Sequence, residues 1–323
     1  MPGSQGLPAL GAVSESALSS ALSGAGIVLD YGLASLRVRS DVALLATQLR
    51  AVYPHFLFRP APQWADLHAE ILNPRGLRRW FRPQAVFQCD GSRPFDPFPA
   101  DSPLPLLEWG TNWLVGRRLN DCLLLHAGVV ERGGAALVMP ATPGSGKSTL
   151  TAALAQRGWR LLSDEFGALD PSSGQLRPVL KPVALKNESI DVISHWSSTA
   201  VIGPRFPKTR KGTVAHLAAS ADDVARVHEP ASFGALVLPR WSAGSATHFE
   251  RIDAESSFRA LAFNAFNYAV LGEDGFHAVV RVARQCPAWQ LVYSNLEDAV
   301  ARLADEWPAV VAATQARDAE VQP

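Results

Sequence analysis

Short apolar segments separated by turns dominate the first third of the sequence. Residues 27–39 alternate weakly between apolar and polar side chains around a Tyr-Gly pair, which predicts two short strands. Residues 42–53 carry apolar side chains at helical spacing, so we expect a helix there with Asp41 as its N-cap. Residues 67–72 and 84–91 predict further strands. This part of the chain therefore predicts a small α+β unit.

The pattern changes at a proline-rich connector that ends near residue 105. Beyond it, residues 106–119 have the spacing of an amphipathic helix. The sequence thus predicts four regions: a flexible tail over 1–26, a small α+β domain over 27–105, a larger α/β domain over 106–310 and a flexible tail over 311–323.

Longer apolar segments follow in the larger domain. Residues 122–141 predict two apolar strands around a Gly-Gly turn, and residues 148–158 predict a helix that ends near its glycine. Residues 159–170 then predict a strand, an acidic pair and a second strand. A further extended segment is expected at 177–186. Alternating strands and helices indicate an α/β fold.

The balance of charge excludes a general attraction to nucleic acid or to an anionic membrane. The 323 residues include 30 basic and 30 acidic side chains, so the formal net charge is zero. No apolar segment reaches the roughly 20 residues needed to cross a bilayer. A signal peptide begins with basic residues, and the first 26 residues contain no Lys or Arg, so we expect no signal peptide. Cys89, Cys122 and Cys286 are far apart in the sequence, so we expect them to be buried, reduced thiols. Together these features predict a cytoplasmic protein.

The segment PATPGSGKST, residues 140–149, is typical of a loop that binds nucleotide phosphates. It lies between a predicted strand and a predicted helix, and only Ala141 departs from the usual glycine at the first position. Backbone N–H groups, a helix N-terminus and a lysine charge can converge there on anionic oxygens. The predicted nucleotide-binding residues are Pro143, Gly144, Ser145, Gly146, Lys147, Ser148 and Thr149.

An acidic pair, Asp164 and Glu165, narrows the class of phosphate-loop protein. It follows the loop by only one helix and one strand, whereas motor and transporter ATPases usually carry such a pair much further along the chain. The guanine-reading motif N-K-x-D is absent from the sequence. This short return places the carboxylates beside the terminal phosphate, where phosphoryl transfer to a hydroxyl often uses a base.

The segments LLLHAGVV, GSGKST and ALAQRGWRLLSDE resemble the catalytic domain of bacterial HPr kinase/phosphorylase and its divergent relatives, the HPr-kinase-related kinases. The resemblance is strong over about 123–169 and weakens through residue 215. It implies an α/β phosphate-loop kinase domain like the C-terminal domain of HPr kinase, with a fold related to phosphoenolpyruvate carboxykinase. It also implies a homo-oligomer.

The resemblance assigns roles at matching positions. Asp164 matches the general base for a serine hydroxyl, and His126 matches a histidine near the phosphates. Ser148 and Glu165 match groups that hold Mg²⁺, although Glu165 replaces an aspartate. The glutamate-led motif of the family is absent, and Glu188 is a candidate remnant and a third metal ligand. These departures put HPr itself in doubt as the acceptor.

Cations elsewhere in the domain are candidates for binding substrate. Residues 203–216 predict a basic loop in which Arg205 and Lys211 could close over ATP or substrate, and Lys181 could face the same cleft. A solvent-exposed basic loop without such a role is the alternative. The basic and aromatic residues 75–82 are interpreted as a solvated edge rather than as a nucleic-acid site.

Two further patterns concern packing. Residues 263–268, FNAFNY, predict a helix on which Asn264 and Asn267 share a face, and packing is preferred there over contact with substrate. The nine tryptophans are scattered along the chain, which indicates positions in the core or at domain contacts.

The sequence as a whole predicts a Mg²⁺-dependent kinase that transfers the γ-phosphate of ATP to a hydroxyl, on a peptide, a protein serine or a small molecule. A nucleotide-dependent regulator or scaffold is the alternative from another class, and simple ATP hydrolysis is a third hypothesis. The residues leave open the acceptor, the choice between ATP and GTP, the oligomeric state, any back-reaction and the role of the N-terminal domain.

Overall fold

The computed structural model describes residues 6–61, 64–74, 83–142 and 144–321, and within them the protein is a mixed α/β structure. A 3₁₀ turn lies at Leu10–Ala12. The helices are α1 Glu15–Ser23, α2 Leu44–Val52, α3 Pro103–Arg118, α4 Lys147–Ala155, α5 Glu188–Trp196, α6 Ala221–Ala225, α7 Ala254–Phe263, α8 Tyr268–Gln285 and α9 Leu296–Val321. The strands are β1 Ile27–Asp30, β2 Ser35–Ser40, β3 Leu67–Leu72, β4 Gln84–Gln88, β5 Phe98–Pro99, β6 Leu123–Leu125, β7 Ala127–Arg132, β8 Ala135–Pro140, β9 Arg160–Ser163, β10 Gly167–Leu169, β11 Gln175–Arg177, β12 Val183–Lys186, β13 Phe206–Thr209, β14 Gly212–Leu217, β15 Ala231–Trp241, β16 His248–Arg251 and β17 Ala288–Tyr293.

These elements form two units, and each unit is discontinuous in sequence. Unit 1 consists of Met1–Arg117 and Ala184–Ala225, and unit 2 consists of Arg118–Val183 and Arg226–Pro323. The division differs from the predicted boundary at residue 105, because unit 1 keeps nearly all of α3 and takes a second segment from the middle of the chain. Hydrophobic patterning reports local structure, so it gave no sign that the chain returns to unit 1.

Unit 1 contains a five-stranded sheet in the order β1-β2-β3-β4-β5. The predicted strands at 27–39, 67–72 and 84–91 are confirmed, and so is the helix at 42–53. That helix begins at Leu44 with Ala43 at the N-cap position, so the prediction of Asp41 as the cap is wrong. The Asp41 carboxylate instead accepts a hydrogen bond from the Asn73 backbone N–H at 2.6 Å, which ties the helix entry to the end of β3.

An aromatic cluster fills the core of unit 1. The rings of Tyr31, Tyr53 and Phe56 contact one another with centroids 4.8 to 6.5 Å apart. The Tyr53 hydroxyl donates a hydrogen bond to the carboxylate of the buried Glu108 on α3. Burial, with the Glu108 charge as the second cause, raises the pKa of both tyrosines, so these hydroxyls stay neutral throughout the physiological range.

Both of the expected flexible tails contain helix: α1 lies within the N-terminal one, and α9 runs through the described part of the C-terminal one. The Ser14 hydroxyl caps α1 by accepting a hydrogen bond from the Ala17 N–H at 3.2 Å, and Leu18 and Leu22 are buried. At the other end, α9 continues to Val321, and Thr314 within it is buried. A composition rich in alanine favours helix as readily as disorder once one face packs on a core, which is why composition alone misled.

Unit 2 is built on a mixed sheet whose main strand order is β6-β10-β11-β15-β8-β7-β9, with β17 on β15 and β16 on β17. All six residues of β8 are buried, as expected for a central strand covered on both faces. The segment 122–141 forms three strands rather than the predicted two. The chain is interrupted at His126, and β6 before it pairs with β10, whereas β7 after it pairs with β8. Gly133 and Gly134 take φ values of +67° and +85°, which a two-residue β7–β8 hairpin turn requires.

All three cysteines are free thiols. Cys89 and Cys122 are buried as expected, whereas Cys286 is only partly buried, with its thiol 3.4 Å from the Phe233 carbonyl oxygen. Burial raises the pKa of Cys122 and of Cys286 to about 11, so neither is a reactive thiolate at neutral pH.

Two expectations concern partners: that the chain does not cross a membrane and that residues 75–82 are not a nucleic-acid site. Among the described helices, none combines the length and the apolar character that crossing a membrane demands. The basic and aromatic segment 75–82 lies outside the described residues.

Candidate active site

The phosphate-loop sequence forms the predicted strand, loop and helix in unit 2. Strand β8 ends at Pro140, and α4 begins at Lys147 with Gly146 at its N-cap position. Gly144 and Gly146 take φ values of +90° and +87°, which residues with a Cβ rarely adopt. Pro143 lies outside the described residues. At Gly144 and Gly146 the loop therefore takes the positive φ for which glycine is suited.

Strand order explains why the acidic pair lies beside this loop. Strand β7 pairs antiparallel with both β8 and β9, so β8 and β9 run in the same direction and end at the same edge of the sheet. Asp164 follows β9 directly, as the loop follows β8. Ligands of open α/β sheets bind beyond the carboxyl ends of such strands.

Lys147 and Asp164 form a buried ion pair at that edge. The Lys147 ammonium lies 3.6 Å from Asp164 Oδ1 and donates a close hydrogen bond to the Asp164 backbone carbonyl oxygen. The side chains are only 8% and 2% exposed. Removing two charges from water is costly, so such a pair is retained only where the surroundings hold both groups together. The lysine of the phosphate loop is thus anchored to the candidate base.

His126 and Glu165 form a second, more exposed pair. His126 Nε2 lies 3.4 Å from Glu165 Oε2, and each side chain is about a quarter exposed. The His126 backbone N–H donates to the Asn264 carbonyl oxygen at 2.7 Å. On the acidic side, the Ser163 hydroxyl accepts hydrogen bonds from the Glu165 and Phe166 N–H groups and shapes the turn. The structure brings His126 to Glu165, and its predicted contact with phosphate stays a prediction.

The loop is also held by two strands from the distant end of the chain. The Trp241 N–H, at the end of β15, donates to the Ser145 carbonyl oxygen at 2.8 Å. The Tyr293 hydroxyl, at the end of β17, donates to the Gly146 carbonyl oxygen at 3.2 Å. Both strands reach the loop because β15 is parallel to β8 and to β17. The sequence prediction missed both residues. It assigned the tryptophans to the core or to domain contacts, and Trp241 is 49% exposed.

Gly128 in β7 sets how closely α4 packs on the sheet. A Cβ at Gly128 would overlap the hydroxyl oxygen of Thr151, which itself donates to the Lys147 carbonyl oxygen at 2.9 Å. The absence of a side chain therefore lets the first turns of α4, and with them Lys147, lie directly against the strand.

Gly128→Ala should lower the free energy of unfolding by about 1–3 kcal/mol, since α4 or β7 must move to admit the methyl group. Thr151→Ala removes the overlapping oxygen, so the double variant should recover most of that loss in urea titrations. Thr151→Ala alone should cost about 1 kcal/mol, the value of one hydrogen bond. A double variant no more stable than Gly128→Ala would show that the overlap is not the cause.

The remaining candidate cations and the third acidic residue lie outside the phosphate loop and the turn that carries the acidic pair. In unit 2, Lys181 lies in the segment that connects β11 to β12, and its side chain is buried. In unit 1, Glu188 is exposed at the start of α5, Arg205 pairs with the exposed Asp191 at 2.5 Å, and the Lys211 ammonium lies 4.7 Å from the Trp109 ring centroid. Roles in binding metal or substrate stay predictions for all four.

The basic segment 203–216 is largely an antiparallel hairpin of β13 and β14 rather than a loop. Two of its basic residues lie at the hairpin turn, where Arg210 pairs with Asp96 at 2.6 Å in the same unit. Alternating polar and apolar side chains on either side of a Lys-Gly turn favour a hairpin. The prediction of a loop rested on the basic charge of the segment and overlooked this pattern.

Residues 264–267 are not helical, contrary to the prediction of one helix over 263–268. It connects α7, which ends at Phe263, to α8, which begins at Tyr268, and Asn264 and Asn267 lie in the connection. The Asn267 side chain accepts from the Leu124 N–H and donates to the Cys122 carbonyl oxygen, both at 2.9 Å. Packing against β6 is thus the role that its contacts support.

No protein-family model matches the chain, and no curated protein is similar to it at a significant level. Within the described ranges, no three His, Cys, Asp or Glu side chains gather closely enough to hold a metal ion by themselves.

Proposed function

We propose that unit 2 is a kinase domain of the HPr-kinase type, which binds ATP with Mg²⁺ and transfers the γ-phosphate to a hydroxyl. The observation that carries this proposal is the buried pair of Lys147 with Asp164 at the end of the phosphate loop. A protein that only binds nucleotide needs the lysine, but it needs no general base for an incoming hydroxyl.

Each residue has a task in this proposal. Backbone N–H groups of the loop and the N-terminus of α4 bind the phosphates, and Lys147 neutralises their charge. Asp164 accepts the proton of the incoming hydroxyl. Its carboxylate is almost inaccessible while Lys147 lies against it, so nucleotide binding has to draw the ammonium towards the phosphates before the hydroxyl can approach.

The chain offers oxygen ligands of the kind that Mg²⁺ prefers. Ser148 lies in the first turn of α4, and Glu165 follows the candidate base. Magnesium sites in kinases use few protein ligands and complete their shell with phosphate oxygens and water, so one hydroxyl and one carboxylate fit such a site. When bound, the ion would neutralise charge on the transferred group. Free thiols in all three cysteines support a cytoplasmic location for this activity.

The test is transfer of label from γ-labelled ATP by the purified protein in a lysate of the source cells. Products are separated by gel electrophoresis and by small-molecule chromatography, and Lys147→Met serves as the inactive control for contaminating kinases. We expect a labelled protein or metabolite that needs both Mg²⁺ and Lys147. ATP binding without any labelled product would favour the regulator, and label released only as inorganic phosphate would favour hydrolysis.

A further inference from the structure

Trp241 is an exposed aromatic residue at the end of an otherwise buried strand. Residues 233–237 of β15 are all buried, yet the Trp241 side chain is 49% exposed. The strand pairs with β8 only as far as Leu236 and continues to Trp241 beside β17. Past Leu236, its last residues therefore lie beside β17 on one side, and Trp241 contacts the phosphate loop on the other.

The backbone at Trp241 is fixed to that loop on one side and to the end of β17 on the other. Its N–H donates to the Ser145 carbonyl oxygen at 2.8 Å, and the next N–H, of Ser242, donates to the Tyr293 carbonyl oxygen at 2.8 Å. A Cβ built on Gly146 would lie 3.0 Å from the Trp241 Cβ. The indole thus begins at contact distance from the N-cap of α4, with a rigid backbone and an open side chain.

We infer that the Trp241 indole is the stacking surface for the base of the bound nucleotide. The inference rests on the proposed function, in which the loop binds the triphosphate. A ring attached at the loop can reach the base end of a nucleotide whose phosphates lie over the N-terminus of α4, and stacking removes both apolar faces from water. Every base has a π-face, so stacking alone selects weakly among bases. ATP and GTP should therefore bind with similar affinity.

The experiment compares three probes by isothermal titration calorimetry with Mg²⁺ present: ATP, GTP and inorganic tripolyphosphate, which has no base. The variants are Trp241→Ala, Trp241→Phe and the control Trp64→Ala, which removes an exposed tryptophan of unit 1. We expect Trp241→Ala to weaken ATP and GTP binding by about tenfold to a hundredfold and to leave tripolyphosphate binding unchanged. Trp241→Phe should retain most of the affinity, and Trp64→Ala should behave as wild type.

The possible failures are distinct. If Trp241→Ala binds ATP as tightly as wild type, the stacking role is wrong while the proposed function stands. If it loses ATP and tripolyphosphate equally, the tryptophan supports the loop and does not bind the base. If the wild-type protein binds none of the three probes, the proposed function falls and the inference falls with it.

Discussion

Asp164→Asn should slow phosphate transfer by about 10²- to 10⁴-fold, the usual contribution of a positioned general base. Asparagine keeps the size of the side chain and the backbone carbonyl oxygen to which Lys147 donates, so the loop should keep its shape. ATP affinity should therefore stay close to that of wild type. Single-turnover transfer rates and calorimetric affinities, measured on the same preparations, check the two expectations.

A matched control for this variant is Asp305→Asn, which makes the same chemical change at an exposed position of α9 in unit 2. It should transfer phosphate at the wild-type rate. If Asp164→Asn instead loses ATP affinity in proportion to its rate, Asp164 positions Lys147 and is not the base. Unchanged transfer by Asp164→Asn would remove the carboxylate from the mechanism altogether.

Gly146→Ala should lower the free energy of unfolding by about 2–4 kcal/mol and weaken ATP binding. One part is the φ value of +87°, which costs a residue with a Cβ about 1–2 kcal/mol. The other part is steric, because the new methyl group would lie 2.5 Å from the Tyr293 hydroxyl oxygen and 3.0 Å from the Trp241 Cβ. Tyr293 is buried, so its ring cannot swing away.

Gly144 separates these two parts within the same loop. Its φ value is +90°, yet a Cβ there would meet no atom within 4 Å. Gly144→Ala should therefore cost only the backbone part, about 1–2 kcal/mol. Adding Tyr293→Phe to Gly146→Ala should recover some of the steric part in urea titrations. Equal losses from the two alanine variants would mean that the contact with β15 and β17 does not restrict the loop.

Much of the candidate site could be predicted because its signals are local. The strand before the loop, the glycines within it and the helix after it occupy one short segment, and their spacing is dictated by backbone geometry. The return to β9 adds Asp164 after one further helix and strand. Each step needs only neighbouring residues, so the mixed α/β character and this part of the site were predictable.

The residues that the prediction missed come from elsewhere in the chain. Trp241 and Tyr293 reach the loop only because β15 and β17 pair in parallel with the central strands, and strand order is not encoded in any single segment. Helix α1, within the expected N-terminal tail, was missed for a related reason. Its leucines favour a helix only once they are buried, as Leu18 and Leu22 are in the structure.

The discontinuous course of unit 1 sets the order in which a newly made chain can complete its parts. Synthesis runs from the N-terminus, so α5 and the β13–β14 hairpin leave the ribosome only after the whole of the 118–183 segment. A fragment that ends at Arg117 would carry the five-stranded sheet but lack these later elements. Exchanging unit 1 between related chains therefore requires two grafts, one of them in the interior of the sequence.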